Sequence, residues 1–368
     1  MANTPRSTRR EFLQGQAAVD ALAAIDAGAA ETASLLEPGT ESYLVRLLRR
    51  AMACTFEVFQ NAGQYPAGSA AAMAALDLVD RLEDQLSIYR EDSEVSEINR
   101  TAAILPVEVE ARLFALLEVA VDLHRQTGGA FDVTAGRLSS VWGFTRRRSK
   151  VPTAEELETA MACVGSQYLE LDANEHRVRF ARPGLEINLG SIGKGYALDR
   201  CSEELAGQGL GDYLLHGGSS SVLARGSRGP NSEGGWLVGI RNPLYPARRL
   251  GWIRLEDRAL GTSGSGTQFF LHQGRRLGHI LDPRTGWPAE GVLSSTAVAP
   301  TAAEADALAT AFYVMGREAV AAYCKQRTDV AAVLLCPAER AGAVETHTYN
   351  LDEREWTRLD EASSSTEH

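Results

Sequence analysis

A mixed fold of helices and strands is predicted by three features of this sequence. Its composition is globular: 44% of the 368 residues are hydrophobic and 23% are charged, enough for one large domain or two. Apolar residues recur at helical spacing, as in Met73, Leu76, Val79 and Leu82 within 70–86, and again through Leu113, Leu116, Leu117, Ala120 and Leu123 within 108–126. Between such stretches lie strand-like runs, among them one from Tyr43 through Phe59, one over 292–299 and one over 330–336. No internal repeat is present.

Charge and cysteine usage exclude several function classes. A formal net charge of -11 disfavours sequence-independent binding to nucleic acid or anionic lipid. No run is apolar and long enough to span a bilayer. The cysteines Cys54, Cys163, Cys201, Cys324 and Cys336 are odd in number and scattered, so neither a disulfide framework nor a zinc site is indicated.

Residues 1–40 differ from the rest. Ser7-Thr8-Arg9-Arg10-Glu11-Phe12-Leu13 resembles a twin-arginine export signal. The following stretch is alanine-rich and carries Asp20 and Asp26, unlike the apolar core of a leader. Periplasmic export and a cytoplasmic protein with a disordered tail both stay open. The expected organisation is this leader or tail, a catalytic domain over 41–360 and a polar tail over 361–368.

Along the domain, Gly63 to Gly68 reads as a loop, and Tyr89 follows the first helix. Thr127-Gly128-Gly129-Ala130-Phe131-Asp132 closes the next helix; paired glycines end helices and also let backbone approach a ligand. The basic run from Arg146 to Lys150 reads as a solvated loop, and Thr153 with Glu156 as a capping box. Arg177 to Asn188 reads as strands leading into Leu189-Gly190-Ser191-Ile192-Gly193-Lys194-Gly195 and a helix. Strand, glycine-rich turn with lysine, then helix is the layout of an anion cradle. It is not a P-loop, because only Ser191 and Ile192 separate Gly190 from Gly193. His216-Gly217-Gly218-Ser219 and Leu260 to Gly266 read as two further Gly/Ser loops, with strands over 236–241 and 250–255 between them.

A helix opens at Thr301, with Glu304 completing a capping box and Gly316 as its stop. Asp306, Thr310 and Tyr313 share one face, and Leu308, Phe312 and Met315 form a core stripe nearly opposite. A carboxylate and a hydroxyl one turn apart offer the oxygen ligands a hard divalent cation takes. Placed away from the core stripe, Asp306 is expected to be replaceable without loss of the fold.

Taken in order, the blocks M-A-C-T-F-E-V, S-I-Y-R, T-G-G-A-F-D-V-T, N-L-G-S-I-G-K-G-Y-A-L-D, H-G-G, T-S-G, H-I-L-D-P-R-T-G and E-A-D-A-L-A-T-A resemble the FAD:protein FMN transferases, the ApbE-type flavin transferases. They span roughly 50–316. The resemblance implies a single α+β flavin transferase domain with mixed sheets and flanking helices. It implies FAD as substrate, Mg2+ on its pyrophosphate, and transfer of FMN to a Thr or Ser hydroxyl of an acceptor protein with release of AMP. The metal ligands would be the Ser191 carbonyl and the Asp306 and Thr310 side chains. FAD contacts would fall on Met52, Tyr89, Ala130, Phe131, Asp132, Asn188, Lys194 and Ile280. The candidate catalytic residues are His279, matching the histidine that activates the acceptor hydroxyl, and Asp306. Four positions depart from the family pattern: Asn188 stands where Asp is usual, Ala53 and Cys54 stand where M-G-T has glycine and threonine, and Ser219 stands where Asp follows the paired glycines. A protein that holds FAD with weakened transfer, and an FAD pyrophosphatase giving FMN and AMP, are the rival readings.

Overall fold

The computed structural model describes residues 43–144, 150–229, 234–264, 266, 268–340 and 342–359. The Arg9-Arg10 segment, the run 145–149 and the tail 361–368 lie outside the described residues. In chain order the strands are β1 (Leu44–Ala51), β2 (Cys54–Asn61), β3 (Val107–Glu108), β4 (Leu169–Asp172), β5 (Arg177–Phe180), β6 (Tyr213–Gly217), β7 (Ser221–Arg225), β8 (Trp236–Arg241), β9 (Arg249–Leu255), β10 (Ala259–Gly264), β11 (Phe269–His272), β12 (Arg275–Gly278), β13 (Ser294–Ala299), β14 (Ala331–Pro337), β15 (Val344–Tyr349) and β16 (Trp356–Arg358). The helices are α1 (Gly68–Leu86), α2 (Glu94–Thr101), α3 (Ala111–Gln126), α4 (Gly136–Val141), α5 (Ala154–Met161), α6 (Gly193–Gly207) and α7 (Ala302–Gln326).

An antiparallel sheet of eight strands, in the order β1-β2-β6-β7-β10-β13-β14-β15, forms the middle layer. Its residues alternate between two cores, as the period of a strand requires. Leu215, Ala297, Ala299, Ala332 and Leu334 face a helical layer. Their neighbours Leu214, Val298, Ala331, Val333 and Leu335 face the small sheet β16-β9-β8, whose Trp236, Val238, Ile240, Ile253 and Leu255 complete the second core. Burial on both faces explains why β14 reads as a near-continuous apolar run. A third cluster, Leu138, Trp142, Phe144, Ala160, Leu277 and Leu281, supports the ribbon β11-β12, which pairs with no other strand among the described residues.

Helix α7 lies on β10 and β13 with α6 beside it. Two glycines set this packing. A methyl group at Gly195 of α6 would overlap the Ala302 carbonyl, and one at Gly261 of β10 would overlap the Ala305 carbonyl. Gly261 therefore belongs to a strand, not to the loop its Gly/Ser surroundings predict; the glycine serves close approach rather than a turn. Other expectations change for similar reasons. Strand β5 ends at Phe180, short of the expected Asn188. Tyr43–Phe59 is a hairpin rather than one strand, turning at Met52 and Ala53, whose φ values are 50° and 57°. Met73 is 42% exposed; α1 buries Ala71, Ala72 and Ala75 instead, beside Leu76, Val79 and Leu82. Gly316, with φ 73°, breaks α7 within its length, and helix resumes at once.

Candidate active site

The start of α7 is fixed from outside the helix. Asp199 of α6 accepts hydrogen bonds from the N–H groups of Ala302 (2.7 Å) and Ala303 (2.8 Å). Thr301 Oγ1 accepts from Glu304 N at 3.2 Å, but the reciprocal half of the expected capping box is replaced: Glu304 accepts from Arg327 at 2.7 Å. Burial pushes the Asp199 carboxyl up to about 6, against the two N–H bonds that favour its charged form.

One turn into α7, Asp306 is buried. Its Oδ2 accepts from the Gly195 N–H at 2.7 Å, and its Oδ1 accepts from the Ser221 hydroxyl at 2.6 Å. Lys194 Nζ stands 3.9 Å from Oδ2. Desolvation raises the Asp306 pKa, opposed by the Lys194 charge and the two hydrogen bonds. Thr310 Oγ1 lies 3.0 Å from Ser263 Oγ of β10. Along this face Asp306 and Tyr313 are buried and Thr310 is partly buried. Asp306 is buried in the packing, so its place off the core stripe is no ground for expecting the fold to survive its replacement.

The glycine-rich turn has the layout of an anion cradle. The turn itself supplies no side-chain cap to α6; the Gly195 N–H is taken by Asp306 Oδ2, and Ser191 and Lys194 are partly exposed beside it. Asn188 Oδ1 accepts from Gly190 N at 2.9 Å and shapes the entry to the turn. Asn188 also lines a cavity of about 360 Å³ with Ile88, Tyr89, Asn99, Gly136 and Ser140. Tyr89 is 75% exposed there, available to a planar ligand rather than committed to core packing.

His279 follows β12 and is partly buried, edge-on to the Phe144 ring at 6.5 Å. Its Nδ1 is 3.1 Å from the Gln268 carbonyl oxygen. A carbonyl can only accept, so the neutral ring carries its proton on Nδ1 and leaves the Nε2 lone pair open. Burial lowers the His279 pKa below its ordinary value.

The remaining sequence-predicted contacts divide. Ala130 and Phe131 are fully buried, so only their backbone is available. The Asp132 carboxylate is occupied by the fold: it accepts from Thr134 N (2.8 Å), Thr134 Oγ1 (2.6 Å), Ser166 N (3.1 Å) and Ser166 Oγ (2.6 Å), with His124 Nδ1 at 3.1 Å. These bonds lower its pKa despite desolvation, and the carboxylate raises that of His124. Its side chain holds the loop. This loop joins the site through Asn188 N, which donates to the Val133 carbonyl at 2.7 Å, and through Arg284, whose Cγ packs over Gly129. Met52 is partly buried in a left-handed turn, and Ile280 is buried next to His279. Sequence reasoning missed Ser221, Ser263, Gln268 and Cys54. Cys54 packs against Gly218, feels the charges of Lys194 and Asp306, and is pushed up to about 11 by burial, which leaves it an unreactive thiol. The signal for Ser221 and Ser263 was their place in Gly/Ser stretches; nothing local marked Gln268.

An anion cradle, a buried carboxylate beside a lysine and a neutral histidine with an open nitrogen are the parts of a phosphoryl-transfer site. The ApbE family model matches residues 51–334. The chain is 30% identical over 289 residues to the FAD:protein FMN transferase of Haemophilus influenzae, covering 76% of this chain and 82% of that one. To the FAD:protein FMN transferase of Vibrio cholerae it is 35% identical over 246 residues, covering 66% and 72%. Its fold matches the crystal structure of the ApbE protein from Thermotoga maritima with a TM-score of 0.73 at 30% identity, over 82% of this chain and 96% of that one. The apo flavinyl transferase ApbE of Pseudomonas stutzeri gives 0.74 at 27% identity, over 85% and 96%. The class defined by fold and site is that of the flavin transferases. The chain belongs to the ApbE family.

Proposed function

We propose that this protein moves FMN from FAD to a Thr or Ser hydroxyl of an acceptor protein in a magnesium-dependent reaction that releases AMP. The observation carrying this reading is the joining of Lys194 and the Gly195 N–H to Asp306, which sets a cation, backbone donors and a carboxylate at one place. FAD has its diphosphate at the cradle and is held also by Tyr89, Asn188, Met52, Ile280 and the backbone of Ala130 and Phe131.

The donor set suits a hard cation that arrives with phosphate. Asp306 and Thr310 offer oxygen only, and among the described residues no three His, Cys, Asp or Glu side chains gather as a self-sufficient metal site. Asp306, Thr310 and the Ser191 carbonyl would hold magnesium, which when bound neutralises the diphosphate. Lys194 and the N-terminus of α6 add charge stabilisation. His279 Nε2 takes the proton of the acceptor hydroxyl. The new bond joins that oxygen to the FMN phosphorus, and the bond from this phosphorus to the bridging oxygen breaks, so AMP departs with the bridge.

The test is incubation with FAD and magnesium, with and without threonine peptides. Covalent FMN on peptide with equimolar AMP is expected. AMP and free FMN with no labelled peptide would make the protein a pyrophosphatase; FAD recovered intact would make it a binder.

A further inference from the structure

We propose that a second cavity, between α1 and α6, binds a small carboxylic acid, with the carboxylate on Arg200 and Tyr196 and the apolar body on Leu78 and Leu82. This site is separate from the transfer reading above and stands whatever the protein does with FAD.

The cavity has a volume of about 520 Å³ and shares no lining residue with the one at Asn188. Its size suits a small organic ligand. Tyr196 and Arg200 stand one turn apart on α6, so they reach it side by side. Arg200 is an anomaly there. Its side chain is only 14% exposed, its Nε is buried, and it has no hydrogen-bond partner among the described residues. Glu203 Oε2 is 3.6 Å from Nε, too far to accept, and already takes a bond from Arg112 at 3.3 Å. A guanidinium carries only donors and keeps its charge, and a buried charge left unpaired is costly. An anion in the cavity supplies the missing acceptor, and a carboxylate has the planar geometry that matches the guanidinium fork.

Tyr196 points to the same conclusion independently. It is 7% exposed, and its hydroxyl has no hydrogen-bond partner among the described residues. The buried Tyr213 and Tyr323 hydroxyls, by contrast, are bonded to Ser202 and Gln126. A buried phenol normally finds a partner. Burial raises the Tyr196 pKa, so the phenol keeps its proton and remains a donor.

The other wall groups select the kind of anion. Glu94 accepts from Gln85 Nε2 at 2.8 Å, Glu110 accepts from Arg112 N and Leu113 N at 3.0 Å, and Asp84 pairs with Arg90 at 2.9 Å. These acids are occupied and leave Arg200 free. With exposed Asp92 they set four carboxylates against the guanidiniums of Arg81, Arg112 and Arg200, a balance that disfavours a dianion such as phosphate. Leu82 is buried and Leu78 partly buried, and they give the ligand's body an apolar floor.

The test follows hexanoate by saturation-transfer NMR on the full-length protein, with hexanol, hexylammonium and inorganic phosphate as comparison probes. Hexanoate alone among these is expected to bind, and FAD should not displace it. Arg200→Met should abolish the binding. Tyr196→Phe should weaken it at least about tenfold, the scale of one hydrogen bond to a charged group. Without ligand, both variants should melt no lower than the unaltered protein, because neither group removed has a partner to lose. Hexanoate should raise the melting temperature of the unaltered protein and leave that of Arg200→Met unchanged. Absence of hexanoate binding, or equal binding of hexanol or phosphate, overturns the proposal. Displacement by FAD would put the ligand in the flavin site and overturn it as well. A lower melting temperature of either variant without ligand would assign the pair to the fold, with the same result.

Discussion

Lys194 Nζ lies 3.9 Å from Asp306 Oδ2, and this pair ties the glycine-rich turn to helix α7. The carboxylate is desolvated, so its charge depends on what surrounds it. Asp306→Asn, which keeps the shape, should abolish the magnesium dependence of FAD binding while the protein stays folded. Asp306→Ala also leaves the Gly195 N–H and the Ser221 hydroxyl without an acceptor, about 1–3 kcal/mol for each unpaired donor. Its melting temperature should fall below that of Asp306→Asn. Leu308→Ala, in the fully buried stripe, should cost roughly 2–5 kcal/mol with little change in magnesium dependence of what remains folded. Magnesium titrations of FAD binding with parallel melts decide all three.

The pH profile of transfer reports on His279. A base acts only when neutral, and burial holds this imidazole below the ordinary histidine value. The acid limb of kcat/KM should therefore fall at a pH below 6.5, with activity retained as pH rises through neutrality. His279→Ala should lower transfer by ~10²–10⁴ with FAD affinity nearly intact. An acid limb above 7, or loss of FAD binding in the variant, would remove His279 from this role.

His124 and Asp132 make a pH-dependent contribution to stability. The folded pKa of His124 is raised, so its contribution is fully present below 6.5 and is lost as pH rises through the folded value. Asp132 runs the other way: its lowered pKa gives a contribution present above 3.8 and lost as pH falls through the folded value. Melts of His124→Gln against the unaltered protein should differ most between these limits and converge at alkaline pH. A constant gap across that range would show that the ring acts by packing alone.

Ala53 sits at φ 57° in the turn between β1 and β2, a conformation that costs a residue with a Cβ. Ala53→Gly should stabilise the protein by about 0.5–1 kcal/mol, the relief of the left-handed strain less the entropy glycine adds to the unfolded chain. Chemical denaturation measures it, and no gain would mean the turn relaxes elsewhere.

At Asn188 the amide oxygen already accepts from Gly190. Asn188→Asp keeps that acceptor and adds charge at the entry to the cradle. Half-saturation of FAD binding should then need less magnesium, as an added carboxylate oxygen favours a hard cation. An unchanged titration would place the side chain outside the metal's reach.

Much of this was legible in the chain. Strand and helix periods gave α3, β8, β9, β13 and β14 within a few residues, because these elements bury a regular stripe or both faces. Thr301 announced the start of α7, and the ordered blocks announced the family. What failed did so where tertiary contact overrides local signal. Gly261 looks like loop because glycine has the same local signature whether a chain turns or another backbone presses on it. Asp306 looked solvent-facing because its covering, Ser221 and Gly195, comes from distant parts of the chain. That Ser166 and His124 hold the Asp132 carboxylate likewise left no local trace. Asp199 as the cap of α7 left no trace near Thr301 at all.

The two glycines beneath α7 have one more consequence. Because main chain meets main chain at Gly195 and Gly261, the spacing between the cradle and Asp306 is independent of which side chains fill the surrounding core. Apolar substitutions in the surrounding core leave these two backbone contacts in place. Divergence in the interior is decoupled from divergence in the chemistry.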